Sequence, residues 1–267
     1  MPDNRISPAE LESLSEATLD NNLLWLRSFG CEVRRKENLI EIKHPQIRDY
    51  SAWLIFEHQE KTRTQLASIF EEIEGSPTAP DIYLDHYLFN PSIEQLLAEN
   101  NFKPAFINLT LALKPSSKQE PAPLTLQPAE RANFEQWLLL YADGFNRHGR
   151  DAEVDRRRWL HAFENSDSVR HWFFVKDNDI AGICQTCIAN GVVGIYSFTL
   201  MPGFRGIRNI LIAMQALRES FVEEKGYFYI ERLLPINSRK MNSAHRVSEK
   251  LINVRTMLGF RRTSVNS

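Results

Sequence analysis

Hydrophobic and polar positions repeat with two different periods along the chain, and each period predicts its own elements. In the first half, apolar residues three or four apart predict a helix over Pro8–Phe29, with Ser7 as its N-cap and Gly30 at its end. Two-residue alternation around a polar turn at 35–38 predicts a hairpin over Cys31–His44. Further elements are predicted as strands at Ala52–His58 and Phe102–Leu113, a strand or short helix at Ile82–Leu88, and helices at Thr64–Ile73 and Pro91–Asn100.

The second half combines a long run of strands with helices on either side. The Asn190-Gly191 pair is a strong turn signal between two apolar segments, which predicts an antiparallel hairpin. In chain order the predicted elements are strand Leu124–Gln127, helix Ala129–Asn146, loop Arg147–Glu153, helix Val154–Phe163, strands Val169–Val175, Ile180–Ala189 and Val192–Met201, helix Arg208–Glu224, strand Tyr227–Leu234, helix Asn242–Met257 and a last strand from Phe260. The chain is therefore predicted to be an α+β protein with a mixed sheet.

One segment has the composition of a linker. Residues 114–123 contain three prolines and two serines and no large apolar side chain. Proline fixes φ and lacks a backbone donor, so this segment is expected to be extended and exposed. It divides the chain into an N-terminal α+β domain at 1–114, a linker at 115–123 and a C-terminal domain at 124–267.

Composition places the chain among ordinary globular proteins. It has 267 residues, of which 43% are apolar and 25% are charged. No apolar stretch approaches the ~20 residues that a membrane span needs, and the first residues lack the apolar core of a signal peptide. The three cysteines are too few for a disulfide framework. We therefore expect a cytoplasmic protein without a membrane span.

Charge is distributed unevenly between the two halves. Residues 1–115 carry 11 Lys and Arg against 18 Asp and Glu, whereas residues 116–267 carry 21 against 16. A basic half suits an anionic ligand such as a phosphorylated cofactor; the equal alternative is that the two halves attract each other. The net charge of -2 gives no reason to expect a nucleic-acid partner, and Arg156–Arg158 is interpreted as a solvated helix face.

The pair Cys184 and Cys187 has a spacing found in redox and zinc sites. Both lie on one predicted strand, where positions i and i+3 face opposite sides. The sequence offers no second pair of cysteine or histidine residues at a matching spacing. No metal is therefore predicted.

The segment Ile195–Leu217 carries the most informative motif. A strand ends in Leu200-Met201-Pro202, an aromatic-Arg-Gly turn follows at Phe204-Arg205-Gly206, and a helix begins directly afterwards. In this segment, in the hairpin before it and in Leu258-Gly259-Phe260 near the end, residues 124–267 resemble the GNAT superfamily of acyltransferases. The resemblance implies a mostly antiparallel sheet flanked by helices. It also implies transfer of an acetyl or longer acyl group from acyl-CoA to an amine of a small molecule or a peptide.

The resemblance also implies which residues bind the cofactor. A helix N-terminus presents unpaired N–H groups and a partial positive charge to the diphosphate of CoA. By resemblance, the last residues of the preceding strand pair with the pantetheine arm. The cofactor-binding residues implied are Phe198, Thr199, Leu200, Arg205, Gly206, Ile207, Arg208, Asn209 and Ile210. Arg208 stands where the family has Gly and Ile210 where it has Gly or Ala; an Arg side chain can pair with a phosphate or fill its place.

Three residues are the candidates for catalysis. Tyr196 lies on the strand before the motif, and Glu231 lies on the next strand, from which it can act as a base if it faces inward. Arg255 occupies the position where many relatives have a Tyr that protonates the departing thiolate; arginine can stabilise a thiolate but is a poor acid. The structural alternatives are a core aromatic for Tyr196 and a surface carboxylate, paired with Arg232 or unpaired, for Glu231.

The first half contains a weak echo of the second. Leu96–Pro104 and Arg255–Arg262 both run from a helix end through a residue able to adopt the left-handed conformation into a Phe and a basic residue. The N-terminal domain is therefore a candidate degenerate GNAT-like copy. A last partner strand is missing from the second half: the first half supplies it, another subunit does so as in a homodimer, or the site is open at that edge. The alternative function is a catalytically inactive GNAT-fold protein that binds a ligand or a partner.

Overall fold

The computed structural model describes residues 6–36, 39–45, 51–55, 59–74, 80–85, 91–113, 123–221, 227–235 and 251–262. In chain order its elements are α1 (Pro8–Ser28), β1 (Glu32–Lys36), β2 (Leu39–Lys43), β3 (Ser51–Ile55), α2 (Gln59–Glu72), β4 (Asp81–Asp85), α3 (Pro91–Glu99), β5 (Phe102–Leu113), β6 (Thr125–Pro128), α4 (Phe134–Gly144), α5 (Gly149–Asn165), β7 (Val169–Lys176), β8 (Asp179–Ala189), β9 (Val192–Leu200), α6 (Ile207–Ser220), β10 (Tyr227–Pro235) and β11 (Leu251–Arg262). The predicted α+β class is confirmed.

The chain forms two compact units. The first contains residues 1–30, 112–230 and 250–252, and the second contains residues 31–111, 231–249 and 253–267. The predicted linker, residues 115–123, lies outside the described residues apart from its last position. Helix α1, which the sequence assigned to the N-terminal domain, belongs to the unit that contains most of the second half.

The sheet of the first unit has the strand order β10-β9-β8-β7-β6. Strands β6, β7, β8 and β9 are antiparallel neighbours, and β10 runs parallel to β9 from Tyr227↔Val192 to Ile230↔Ile195. Asn190 and Gly191 have φ angles of 51° and 72°, which a two-residue hairpin turn requires and which these residues tolerate. Helix α6 forms the crossover between the two parallel strands.

Helices cover both faces of this sheet. Alternate strand residues such as Phe174, Cys184 and Ile195 pack with Ala213 and Leu217 of α6. Their neighbours along the strands face the other side, where α1, α4 and α5 pack. Among the described residues this second face is rich in aromatic rings: Trp159 of α5 contacts Trp25 and Phe29 of α1 and Tyr141 of α4. The sheet of this unit is therefore the middle layer of three.

Helix α1 begins as the sequence predicts. Ser7 has an extended backbone and its Oγ accepts a hydrogen bond from Glu10 N at 3.2 Å, with Pro8 at the first helical position. Gly30 then has a φ of 93° just after the helix, a conformation that glycine adopts without strain. The predicted N-cap and end of this helix are confirmed.

Asn21 fixes α1 to the sheet of the first unit. Its side chain is fully buried, and its amide nitrogen donates to Cys187 O at 2.9 Å and Val192 O at 3.2 Å. Its Oδ1 accepts from the hydroxyl groups of Tyr196 at 3.1 Å and Tyr229 at 2.9 Å. The amide therefore has partners for both of its donors and for its acceptor, which is the condition for burying it without a large cost.

The part of the sheet in the second unit has the strand order β1-β2-β3-β4-β11-β5. Strands β1, β2 and β3 are antiparallel, β4 is parallel to β3, and β11 is antiparallel to β4. Helices α2 and α3 pack on it through a core whose buried members are Leu39, Trp53, Ile55, Leu66, Ile69, Phe70, Ile73, Ile82, Leu84, Ile93, Leu97 and Phe102. The strand that is last in the chain therefore lies between two strands of the first half.

Strand β11 corrects a sequence prediction. A helix was expected over Asn242–Met257, but residues 251–257 are strand, and residues 242–250 lie outside the described residues. Met257↔Asp85 and Phe260↔Ile82 are partners in the pairing of β11 with β4. The alternating β-branched residues Ile252, Val254 and Thr256 are the local signal for a strand.

The loop expected at Arg147–Glu153 is also shorter than predicted. Helix α5 begins at Gly149, so most of that segment forms its first turn. Gly149 has a φ of 55° and follows His148, which is extended. Asp151 lies in this first turn, where a negative charge is favourable because the N-terminal end of a helix is partially positive.

We expect Asn21→Ala to lower the free energy of unfolding by about 3 kcal/mol, because it leaves two carbonyl oxygens and two tyrosine hydroxyls without their partner. Urea denaturation followed by tryptophan fluorescence measures the change. Glu12→Ala, on an exposed position of the same helix, is the control and should stay within about 0.5 kcal/mol of the parent protein. Equal effects of the two substitutions would contradict a special role for Asn21.

Candidate functional site

Strand β9 contains a bulge at the centre of the predicted site. Ile183 pairs with Thr199 and Gln185 pairs with Tyr196, so Ser197 and Phe198 together face the single residue Cys184. Ser197 has a φ of 48°, which is uncommon for a residue with a side chain. A bulge leaves one residue outside the regular ladder and bends the strand. It therefore makes β9 irregular just before Phe198, Thr199 and Leu200, the residues predicted to contact the pantetheine arm.

The three residues after the bulge have different surroundings. Phe198 is half-buried, with its ring 5.5 Å from that of Phe174 in a T-shaped contact. Thr199 lies against the end of α4, so close that a Cβ on Gly144 would be 2.6 Å from Thr199 Cγ2. Leu200 is buried in the core beneath α6. Glycine at position 144 is therefore what allows α4 to end directly beside this part of β9.

The turn after β9 leads into the N-terminus of α6. Pro202–Phe204 forms one 3₁₀ turn, and Arg205 Nε donates to Leu200 O at 3.1 Å. Gly206 is the N-cap, with a φ of 140° that favours glycine. The N–H of Ile210 donates to Gly206 O at 3.0 Å, so the N–H groups of residues 207–209 precede the first bond within the helix.

The first turn of α6 is open to solvent. Gly206, Ile207, Arg208 and Ile210 are exposed, and Asn209 is half-buried. The exposed fraction of Ile207 is 80%, a high value for a large apolar residue. The predicted cofactor-binding residues Arg205–Ile210 therefore lie together at an exposed helix N-terminus, where their backbone donors and the charge of Arg208 are accessible.

A buried polar chain leads to the bulge from the interior of the sheet. Gln185 is fully buried on β8, and its Oε1 accepts from Trp25 Nε1 at 3.2 Å and from Ser197 Oγ at 3.0 Å. Its Nε2 lies 2.7 Å from Nε2 of His171 on β7. The chain therefore connects α1, β7 and β8 with Ser197 of β9.

His171 is held as a neutral ring. It is buried against the aromatic side chains of Phe134, Trp137 and Phe163, with the Trp137 ring centroid 4.7 Å away. Burial lowers the pKa of His171 to about 3, because the charged imidazolium would lose its hydration there. Its Nδ1 has no hydrogen-bond partner among the described residues.

Tyr196 lies in the buried cluster around Asn21. Its exposed fraction is 6%, its hydroxyl donates to Asn21 Oδ1 beside the Tyr229 hydroxyl, and its ring stacks on Trp25 at 4.1 Å between centroids. These contacts hold β9 between α1 and β10. Such contacts are those of an aromatic residue in the core, and they favour that interpretation of Tyr196 over one in which its side chain contacts a substrate.

The other two predicted catalytic residues lie on different strands. Glu231 is on β10, and its side chain is outside the part of the chain that the structure describes. Arg255 is half-buried on β11 and not on a helix, which corrects the expected setting. Arg255 belongs to the second unit and Tyr196 to the first.

An ion cluster holds the junction of α4 and α5. Asp155 is almost fully buried, and its carboxylate accepts from Arg147 Nε at 2.6 Å and from Arg158 Nη1 at 2.9 Å. The Arg158 guanidinium also lies over the Phe29 ring at 4.5 Å. Burial, and next the charge of Asp155, raise the pKa of Tyr141 to about 12. The junction next to Thr199 is therefore fixed by charge pairs.

The cysteine pair has the arrangement that strand alternation predicts. Cys184 packs in the core beneath α6, and Cys187 Sγ lies 3.8 Å from Asn21 O on the other face. Burial raises the pKa of both thiols, to about 12 for Cys187. No cluster of three His, Cys, Asp or Glu residues arranged to hold a metal occurs within the described ranges. No helix in those ranges has the length and apolarity needed to cross a membrane.

Sequence reasoning missed the residues of the polar chain. Trp25, His171 and Gln185 come from α1, β7 and β8, and no local motif joins them. The available signal was a polar residue inside an apolar strand: Gln185 interrupts the buried run Ala181–Cys187. A buried amide needs partners, so its position could have suggested a network without identifying its members.

Comparison with solved structures shows the fold. No protein-family model matches the chain, and no curated protein matches it. It is similar to a GCN5-related N-acetyltransferase from Kribbella flavida (TM-score 0.61, 15% identity, 94% of this chain and 95% of that one) and to another from Sphaerobacter thermophilus (TM-score 0.60, 13% identity, 98% and 96%). A tandem GNAT protein of clavulanic acid biosynthesis also matches (TM-score 0.50, 11% identity, 83% and 77%). The protein therefore has a GNAT fold.

The neutral His171 makes stability depend on pH. The folded pKa of His171, about 3, lies below the ordinary histidine value of 6.5, so between these values the unfolded chain binds a proton that the folded chain does not. Stability should therefore fall as pH drops from 7 to 5, by about 2 kcal/mol through this residue alone. Urea denaturation at both pH values measures it. His171→Gln keeps an acceptor for Gln185 but does not titrate, so this variant should lose about 2 kcal/mol less unfolding free energy between pH 7 and pH 5 than the parent protein. Equal losses in the two proteins would contradict a neutral, buried His171.

Proposed function

We propose that this protein is an N-acyltransferase that moves an acyl group from an acyl-CoA to an amine by direct attack. One structural observation supports the proposal: along the chain, a bulged β9 is followed by a tight turn and then by an exposed α6 N-terminus capped by Gly206. These three features offer, in one continuous segment, irregular strand backbone for an amide-bearing arm and helix donors for a diphosphate. A GNAT fold is shared by proteins of many functions, so the proposal rests on this segment.

The diphosphate of CoA is proposed to bind at the start of α6. The N–H groups of residues 207–209 point out of the first turn, and the helix adds a partial positive charge there. Gly206 has no atom within 4 Å of the place where a Cβ would stand, so its backbone can be approached closely. The exposed Arg208 guanidinium can form a charge-assisted, bidentate contact with a phosphate group. We therefore propose that Arg208 binds the phosphate.

The pantetheine arm is proposed to follow β9 beyond the bulge. Its two amides need backbone partners, and the residues next to the bulge are Phe198, Thr199 and Leu200. The end of α4 at Gly144 lies over Thr199 and forms one wall of the proposed path. The apolar character of β9 is compatible with acyl groups longer than acetyl.

The reaction requires a neutral amine nitrogen to attack the thioester carbonyl. A C–N bond forms, the C–S bond breaks, the amine loses one proton to a base and the thiolate takes one from an acid or from solvent. Glu231 stays a sequence prediction for the base, and Arg255 one for a charge that stabilises the thiolate. For Tyr196 we propose a positioning role, because its hydroxyl already donates to Asn21 Oδ1.

The two units are proposed to be a tandem repeat. In the first, three antiparallel strands β7, β8 and β9 are followed by α6 and a parallel strand β10. In the second, three antiparallel strands β1, β2 and β3 are followed by α2 and a parallel strand β4. This shared order supports a degenerate GNAT-like N-terminal copy. We also propose that the acyl acceptor is an amine of a small molecule or a peptide, that the protein is cytoplasmic and that it forms a homodimer.

A second candidate is a GNAT-fold protein that binds its ligand without turnover. It is favoured by Arg208 and Ile210, which stand where small residues would leave room for the phosphates. Release of free CoA thiol during incubation with acyl-CoA and a panel of amines separates the two candidates. Binding of CoA without any thiol release would favour the second.

We expect acetyl-CoA to bind the protein and Arg208→Glu to weaken this binding by about 100-fold, because the substitution replaces a phosphate-pairing charge with a repelling one. Isothermal titration calorimetry with acetyl-CoA and a longer acyl-CoA measures the affinity. Arg170→Glu makes the same change of charge at an exposed position of β7 and is the matched control. It should change the affinity less than threefold.

Arg208→Ala tests whether the Arg208 side chain strengthens or weakens the binding of acetyl-CoA. About tenfold weaker binding would confirm that Arg208 binds a phosphate, at the ~1.4 kcal/mol that a charge-assisted bond contributes. Tighter binding would show that it occupies the place of the phosphate. If the parent protein binds no CoA or acyl-CoA, the acyl-CoA function is wrong.

A further inference from the structure

We propose that Ser197 Oγ is the hydrogen-bond acceptor for an N–H of the amine substrate, and that Trp25 and His171 fix this polarity through Gln185. The proposal deepens the acyltransferase function proposed above and rests on it. It assigns a specificity role to a residue on the bulge, supported by side chains of α1 and β7. Its physical basis is the direction of each hydrogen bond in the buried chain.

The indole of Trp25 sets the first direction. An indole N–H can only donate, so the Gln185 atom 3.2 Å from it must be the carbonyl oxygen. The opposite orientation of the amide would place two donors face to face in a fully buried position. Gln185 Oε1 therefore faces Trp25 and Ser197, and Gln185 Nε2 faces His171.

The orientation of Gln185 determines the tautomer of His171 at the other end. Gln185 Nε2 donates, so His171 Nε2 at 2.7 Å must be the unprotonated, accepting nitrogen. The ring proton is then on Nδ1, which faces aromatic rings and has no hydrogen-bond partner among the described residues. A protonated imidazolium would set two donors against each other, and the burial that lowers the pKa of His171 to about 3 excludes that state at neutral pH.

Ser197 is the end of this chain. Gln185 Oε1 is an acceptor, so the Ser197 hydroxyl must donate its only proton to it at 3.0 Å. The lone pairs of Ser197 Oγ are thereby left as acceptors. Ser197 is half-buried, and it immediately precedes the segment proposed to bind pantetheine. A molecule at this position is therefore selected for a donor, such as an amine, and against a carboxylate.

The backbone at Ser197 supports a role for the hydroxyl. A φ of 48° costs energy for a residue with a Cβ, and glycine or asparagine would adopt it more readily. Strain of this kind is concentrated at functional sites, where the surrounding structure maintains it. The strain and the fixed polarity are independent observations on the same side chain.

Nitrogen NMR of the histidine side chains tests the polarity directly. In the parent protein His171 should be the neutral tautomer with Nδ1 protonated and Nε2 unprotonated. An Nε2-protonated His171 would overturn the proposal, because Gln185 would then have to accept from it and donate toward Ser197. This measurement needs no substrate, so it is independent of the acyltransferase function.

Binding of small probes tests whether Ser197 prefers a hydrogen-bond donor, such as an amine, to a carboxylate. Ethylammonium chloride should shift the Trp25 indole N–H and Ser197 amide resonances saturably, whereas sodium acetate, of similar size and without a donor, should not. Ser197→Ala and Ser197→Gly should both weaken ethylammonium binding at least tenfold. Equal binding of the two probes, or unchanged ethylammonium binding in either variant, would overturn the proposal.

The glycine variant separates recognition from folding. Ser197→Gly removes the hydroxyl and relieves the backbone, so its thermal unfolding temperature should equal or exceed that of Ser197→Ala. A purely structural role for the hydroxyl would leave ethylammonium binding intact in the stable glycine variant. Where the protein also acetylates an amine, the KM for the amine should rise in both variants while the KM for acetyl-CoA changes less than twofold. Failure of the acyltransferase function appears instead as absent acyl-CoA binding with the histidine tautomer and ethylammonium binding unchanged.

Discussion

The docking of α1 through Asn21 is the constraint on which the first unit depends. A buried amide is stable only when both of its donors and its acceptor are satisfied, and Asn21 meets this condition with two backbone carbonyls and two tyrosine hydroxyls. Gly194 makes the fit possible, because a Cβ there would lie 2.5 Å from Asn21 Oδ1. The first helix of the chain is thereby fixed in register on strands β8, β9 and β10, which follow it by more than 150 residues.

Fixing α1 has a consequence one turn further along the helix. Trp25 lies at i+4 from Asn21, on the same face, and stacks on Tyr196 while its indole nitrogen bonds to Gln185. The position of α1 therefore determines the orientation of Gln185, and through Gln185 that of Ser197. A structural contact and a candidate recognition contact belong to the same network, so their energies are coupled and not additive.

The two faces of the sheet in the first unit differ in the side chains that they carry. The face under α6 is apolar, and it anchors the helix whose N-terminus is the proposed phosphate site. The face under α1, α4 and α5 combines aromatic rings with buried polar groups, among them Asp155, His171 and Gln185. Strand β9 contributes to both, because successive side chains point to opposite sides and the bulge interrupts that alternation at Ser197.

The sequence by itself determined the local elements and the GNAT-like segment. Ser7 and Pro8 identified the start of α1, Asn190-Gly191 identified a hairpin, and the alternation over Phe102–Leu113 matches β5 in both of its ends. These features depend on capping, on turn conformation and on side-chain alternation, all of which act over a few residues. The fold class and the segment from Ile195 to Leu217 could be predicted for the same reason.

Only the tertiary structure decided which elements pack together. The unit to which α1 belongs and the strand conformation of Leu251–Arg262 depend on partners distant in the chain, namely β8 and β9 in one case and β4 in the other. The polar chain from His171 through Gln185 to Ser197 also joins three strands, and its direction depends on a tryptophan of α1. A polar residue within a buried segment indicates that a hydrogen-bond partner is needed, but only the fold brings that partner within hydrogen-bond distance.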